Sequence, residues 1–190
     1  MTHLKAQDKL VPFSYGLKFG VSVSEVQGAE ELNSLRASIL AGVQAEYKFN
    51  KKISIQPELI YTRQGSVNRG NSNGTQFDNT LRLDYLNLPI LFKYYLTEGL
   101  ALELGPRMSY LINAQYKTIV GPESSILEIS KQFKDIDYRA NIGVNYKTEW
   151  GFTIGFRYER RFIDINNGSN LETGQLYNTL LQLSFGYFFK

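Results

Sequence analysis

From Phe13 onward, apolar residues take every second position: Phe13, Tyr15, Leu17, Phe19, Val21 and Val23, with Ser14, Gly16, Lys18, Gly20, Ser22 and Ser24 between them. A period of two places the two sets on opposite faces of an extended strand. The pattern returns seven more times before the C-terminus. Tyr and Phe gather near the ends of the apolar faces, and Gly, Glu and Arg recur on the polar ones. Strands with lipid on one side, a packed polar interior on the other and aromatic girdles at both interfaces are what a transmembrane barrel requires. The expected architecture is therefore all-β: an eight-stranded antiparallel up-and-down transmembrane β-barrel with a polar, plugged lumen, located in the bacterial outer membrane.

Bulk properties narrow the alternatives. A chain of 190 residues is one domain by the usual prior, and 13 Tyr, 12 Phe and 16 Gly are a strand-and-turn composition. The longest apolar run, Leu88 to Phe92, is far short of the roughly 20 residues a membrane helix needs. That excludes a helical span and leaves a barrel open. A net charge of +3, with no Lys/Arg run longer than two, gives no footprint for nucleic acid. With no Cys, disulfides, thiol catalysis and thiolate metal sites are excluded. Residues 1–12 are expected to be a signal-peptide remnant or N-terminal segment, because Leu4-Lys5-Ala6-Gln7 looks like the tail of a secretory signal. Residues 13–190 are expected to form the barrel.

The alternation predicts strands over Phe13–Glu25, Leu35–Phe49, Ile53–Gly65, Leu81–Tyr95, Leu100–Asn113, Ile136–Tyr146, Phe152–Ile163 and Tyr177–Phe189. In the fourth, Leu81, Leu83 and Tyr85 are out of phase with Leu86, Leu88, Ile90, Phe92 and Tyr94, which predicts a β-bulge near Tyr85-Leu86. Pro57 and Pro89 fall inside strands and should sit at a bulge or a locally unpaired position. Short connections (Asn50–Lys52, Leu96–Gly99, Thr148–Gly151) alternate with long ones (Val26–Ser34, Ser66–Thr80, Ala114–Asp135, Asp164–Leu176). Short periplasmic turns and long outer loops are the rule for outer-membrane barrels. The soluble competitor is a lipocalin-like barrel with its apolar face inward. Against it stand the mid-strand glycines of the polar face, Gly16, Gly20, Gly42, Gly105, Gly143, Gly155 and Gly186. A solvated face has no use for them, whereas a lumen crowded with Arg and Glu needs the space.

Several stretches resemble the PorT-like outer-membrane β-barrel family of Bacteroidota. Residues Ile55-Gln56-Pro57-Glu58-Leu59-Ile60-Tyr61-Thr62-Arg63-Gln64-Gly65 are similar to its third strand. The run Asp84-Tyr85-Leu86-Asn87-Leu88-Pro89-Ile90-Leu91-Phe92-Lys93-Tyr94-Tyr95 resembles its fourth. Glu103-Leu104-Gly105-Pro106, Tyr110-Leu111 and Gly155-Phe156-Arg157-Tyr158 match its remaining signatures. The resemblance implies an eight-stranded outer-membrane barrel of the OmpA/OmpX type. It implies no single activity, since the family is functionally heterogeneous and includes an accessory of type IX secretion.

The residues that could carry chemistry lie on the lumen phase. Lys18, Arg107, Arg139 and Arg157 stand at broadly similar depth with Glu46, Glu58, Glu103 and Glu159. Four positive against four negative charges point to a paired, structural plug, because pairing is what makes buried charge tolerable. The lone histidine, His3, lies in the N-terminal segment, so no His-based catalytic constellation is expected in the barrel, nor any cofactor or metal. Arg69–Asp78 mixes Asn and Asp without calcium-loop spacing and reads as a hydrophilic outer loop. Asn73-Gly74-Thr75 and Asn167-Gly168-Ser169 match a glycosylation acceptor at chance level. On the lipid face, Ala37, Ala41 and Ala45 form a stripe of small residues, a candidate protein-contact surface. The expected function is that of a non-enzymatic outer-membrane barrel, an accessory subunit of an envelope complex or a surface-loop binding protein. Its expected partners are outer-membrane lipid or lipopolysaccharide and other outer-membrane or periplasmic proteins. The alternatives are a narrow pore and a lipid-modifying enzyme.

Overall fold

The computed structural model describes residues 12–26, 36–72, 75–120, 123–128, 136–161 and 178–189. Nine strands follow in order: β1 Phe13–Val26, β2 Arg36–Lys48, β3 Ile53–Ser72, β4 Thr75–Tyr95, β5 Leu100–Val120, β6 Glu123–Glu128, β7 Ile136–Lys147, β8 Phe152–Arg161 and β9 Asn178–Phe189. Each pairs antiparallel with its chain neighbour except β6 with β7, and β1 closes on β9. Strand β5 turns its inner half to β7 and its outer half to β6, so eight strands form the closed wall and β6 lies beyond it. Closure leaves the wall without an edge, the condition for a sheet to stand in lipid. Phe19, Leu104, Phe92 and Ile142 are among the many apolar side chains exposed on its outside, while Lys18, Glu58, Glu103 and Arg157 are buried inside. This inversion of the usual burial rule excludes the lipocalin-like alternative, whose apolar face would point inward.

Three connections tighten into turns where the sequence places them. Asn50 Oδ1 accepts from the backbone amides of Lys52 and Ile53 at 2.8 and 2.9 Å. Thr97 and Thr148 do the same for Leu100 and Phe152. Gly151 takes a φ of +97°, a conformation side chains disfavour, as the last turn swings back into β8.

Two expected loops are strands instead. Segment 66–72 pairs with 75–81, so Arg69 stands opposite Asp78 in a ladder and not in an open loop. Strand β5 continues seven residues past Asn113, to Val120, and folds back as β6. Above the membrane both faces of a strand meet water, so no apolar alternation marks such an extension, and its Asn, Ser and Gly content reads as loop. Residues 1–11, most of the loops Val26–Ser34 and Asp164–Leu176, and both Asn-Gly acceptor motifs at their Asn and Gly lie outside the described residues.

The bulge is present, but on the partner strand. Asp84 faces Asn113 and Tyr85 faces Leu111, which leaves Ile112 of β5 unmatched. Strand β4 keeps one phase throughout, so Leu83 and Tyr85 do not face lipid: Leu83 packs inside with Leu111 and Ala114, and Tyr85 lies against them. An apolar residue signals burial from water without saying whether lipid or a lumen seal provides it. Pro57 and Pro89 sit, as expected, beside gaps in the ladder; pairing breaks between Gln44–Glu58 and Tyr47–Ile55, and between Pro57–Ile90 and Ile60–Asn87, without a change of register.

The glycines have two origins where one was expected. A Cβ on Gly105 would lie 1.9 Å from the Ile90 carbonyl oxygen, and one on Gly16 2.0 Å from that of Tyr187. There the neighbouring backbone, not a lumen side chain, demands glycine, as the tight curvature of a small barrel brings strands together. At Gly186 the expected reason joins the backbone one, since its Cβ would meet Gln44 Nε2 and Thr153 Oγ1 at 2.7 Å each and the Leu17 carbonyl oxygen at 2.8 Å.

Candidate functional site

An eight-stranded barrel is only wide enough for side chains to fill, and this lumen is filled in layers. At the end bearing the short turns, Glu46 accepts from Ser54 Oγ at 2.7 Å, from Lys147 Nζ at 2.9 Å and from the Tyr95 hydroxyl. The Lys147 ammonium lies 3.9 Å from the centroid of the Phe188 ring, and Lys48 lies 4.4 Å from that of Tyr95. Tyr95, Phe188 and Ala101 thus give this end an apolar backing.

One layer inward, Lys93 Nζ donates to Gln56 Oε1 at 2.9 Å and to Asn145 Oδ1 at 3.0 Å. At mid-barrel, Arg157 bridges two acids: Nη1 and Nη2 reach Glu58 at 3.0 and 3.1 Å, and Nε reaches Glu103 at 2.6 Å. Glu58 also accepts from Lys18 Nζ at 2.8 Å and from Gln56 Nε2 at 2.7 Å. Further out, Arg107 pairs with Glu159 and donates to Asn87 Oδ1 at 2.6 Å and Ser109 Oγ at 3.1 Å. Asn87 in turn ties to Ile60 O and Thr62 Oγ1, both at 3.0 Å. Arg139 pairs with Asp137 at 2.8 Å. Above this, Leu83, Leu111, Ala114 and Tyr85 form a second apolar layer.

All eight charged residues singled out in the sequence line this lumen, in groupings that spacing could not assign. Lys18, Glu58, Glu103 and Arg157 form one cluster; Arg107 and Glu159 form another; Glu46 and Arg139 each take a partner outside the set. Sequence reasoning missed Lys93, Lys147 and Asp137, and the neutral connectors Gln56, Asn87, Asn145 and Tyr95. Their inward phase was legible: Lys93 and Tyr95 alternate with outward Phe92 and Tyr94. Four buried side-chain atoms lack a partner among the described residues: Glu103 Oε2, Arg139 Nη1 and both amide atoms of Asn141. All belong to β5 and β7.

Outside the wall, Ala37 and Ala41 are exposed, whereas Ala45, opposite Tyr15, is half-buried. Among the described residues no group of three or more His, Cys, Asp or Glu side chains could hold a metal ion.

Residues 5–167 match the family model described as outer membrane protein beta-barrel domain. No curated protein sequence matches the chain. The structure is similar to that of Ail, the attachment invasion locus protein of Yersinia pestis, solved in complex with the heparin analogue sucrose octasulfate. Identity is 16%, the TM-score is 0.51, and the match covers 93% of this chain and 99% of that one. It is also similar to Neisserial surface protein A, at 14% identity and a TM-score of 0.50, over 94% and 97% of the two chains. At these identities the likeness concerns the fold. The inverted burial, the closed eight-strand wall and the family match over most of the sequence lead to one conclusion: the chain belongs to the outer membrane protein beta-barrel domain family and resides in the outer membrane.

Proposed function

We propose that this barrel is not an enzyme or a conduit, and that it works through its surface as an accessory subunit of an envelope protein complex. The observation that carries the reading is the filled lumen: paired charges along its length, backed by Tyr95 and Phe188 at one end and by Leu83, Leu111 and Ala114 at the other. A path for ions would have to break these pairs, each break leaving a buried charge exposed to a low dielectric. The resemblance of the third and fourth strands to PorT-like barrels supports an accessory role in secretion or assembly. The outward stripe of Ala37 and Ala41 offers a surface for close approach.

The pore reading has one observation in its favour. The unpartnered atoms of Glu103, Arg139 and Asn141 mark a polar thread along β5 and β7. Two measurements test the proposal together. Protein reconstituted in planar bilayers should show no steady conductance, and gentle extraction should recover a second outer-membrane protein whose association weakens in Ala41→Trp. Discrete, reproducible channel openings would establish the pore. A barrel that remains alone after crosslinking in intact cells would overturn the accessory role and leave ligand binding by the outer loops.

A further inference from the structure

The outward face of the wall changes character abruptly at its outer end, across β3, β4 and β5. Tyr61, Leu86 and Tyr110 stand in one row, in register across the three strands. With Tyr138 and Tyr158 exposed on β7 and β8, these tyrosines form the outer aromatic girdle, which marks the boundary of the hydrocarbon layer. The next row outward is Arg63, Asp84 and Asn113; the row beyond it holds Arg82 opposite Gln115, and the row after that Lys117 opposite Thr80. A strip that was wholly apolar becomes cationic over the three rows that follow, starting at the depth of the lipid headgroups.

The strip is organised as well as charged. Asp84 Oδ1 accepts from Arg63 Nε at 2.9 Å and from the Tyr61 hydroxyl at 2.8 Å, and the Asn113 side chain bonds to it as well. Arg63 Nη2 donates to the Tyr61 oxygen at 3.0 Å, and its guanidinium carbon lies 5.9 Å from the Tyr61 ring centroid. Asp84 is almost covered by these neighbours, while the Arg63 side chain keeps 53% of its surface exposed. Asp84 therefore acts as an anchor that holds one arginine flat against the wall. Arg82 is exposed beside it and Lys117 half-exposed beyond. Among the described side chains of the strip, three cations against one enclosed carboxylate leave an excess of positive charge facing the headgroup layer, although the backbone register sets Glu128 of β6 opposite Gln115 in the row of Arg82.

We propose that Arg63, Arg82 and Lys117 form a binding site for the phosphate groups of an outer-leaflet glycolipid, with Asp84, Tyr61 and Asn113 positioning Arg63. A pre-set guanidinium presents paired donors to phosphate oxygens at little further entropic cost. The commitment to a lipid over a soluble anion rests on place: the site begins one row above the girdle, so a lipid whose chains lie along Leu86, Leu88 and Met108 brings its headgroup to these cations.

The test uses the full chain in nanodiscs of phosphatidylcholine containing either a bis-phosphorylated glycolipid or its dephosphorylated form, with bound lipid counted by native mass spectrometry. The phosphorylated form should be retained preferentially. Arg82→Gln and Lys117→Gln should each lower its retention about fivefold, the worth of one cation at a charged membrane surface. Neither residue touches Asp84, so both variants should fold; Arg63→Lys, which keeps the charge but loses the fork, separates geometry from charge and should also bind less. Equal retention of the two lipids, or unchanged retention in both Gln variants, would overturn the site. Displacement of the lipid by millimolar inorganic phosphate would show a free-anion site and overturn the lipid assignment.

Discussion

Replacing Arg157 by Met probes the plug where it is most connected. The side chain is 2% exposed and holds Glu58 through two hydrogen bonds and Glu103 through one. Glu58 would keep Lys18 and Gln56, at 2.8 and 2.7 Å. Glu103 would fare worse: among the described residues its Oε2 lacks a partner and Arg157 is the donor to Oε1. The ammonium groups of Lys18 and Lys93 would still act on it, though neither donates to it, and breaking a buried pair of this kind costs about 3–5 kcal/mol. At about 2–4 °C per kcal/mol for a chain of this size, that is a fall of roughly 6–20 °C in the unfolding transition. Heat-modifiable migration on gels, or tryptophan fluorescence in lipid vesicles, reads this directly. Arg157→Met/Glu103→Gln removes the orphaned charge and should recover part of the loss, because a neutral buried amide costs only about 1–3 kcal/mol. Lys18→Met should cost less than Arg157→Met, since Glu58 retains the arginine. An unchanged transition in Arg157→Met, or a double variant no more stable than the single, would mean that water solvates these groups, and the plugged lumen would have to be abandoned.

Topology and curvature give two more expectations. If the three short turns are periplasmic, protease applied to intact cells should spare Lys51 and Lys52; cleavage at Lys51 in sealed cells would invert the orientation. Gly105→Ala forces a Cβ to within 1.9 Å of the Ile90 carbonyl, so the variant should fail to reach the heat-modifiable folded band or should lose several °C, whereas Gly155→Ala, whose nearest neighbours are side-chain atoms at 3.0 and 3.1 Å with backbone no closer than 3.8 Å, should fold; equal behaviour of the two would refute the backbone argument.

Much of this barrel is written residue by residue in the chain. The difference between lipid and lumen is chemical and recurs at every second position, so the eight strands of the closed wall, the face of most of their side chains and the three short turns follow from alternation and its interruptions. Phe13–Val23 and Phe152–Tyr158 show this, with each exposed apolar residue followed by one facing the lumen. Alternation ends where the contrast of media ends. Above the membrane both faces are wet, so the continuation of β3 to Ser72 and β5 to Val120 left no periodic trace. Inside the lumen, hydrophobicity does not distinguish lipid from an apolar seal, so Leu83 and Tyr85 looked outward-facing when they are not.

What only the closed structure decided is which charges meet. Depth along the axis depends on tilt and shear summed around the whole wall. Arg157 and Glu58 are 99 residues apart in the chain and share two hydrogen bonds; Arg139, of the same phase and apparent depth, turns instead to Asp137, two residues away. That the lumen carries charges of both signs was legible in the chain, since each strand contributes its own residues to the interior. The pairing, the missing partners of Asn141, and the cationic strip of Arg63, Arg82 and Lys117 required the tertiary structure, because each joins strands whose relative heights exist only once the barrel has closed.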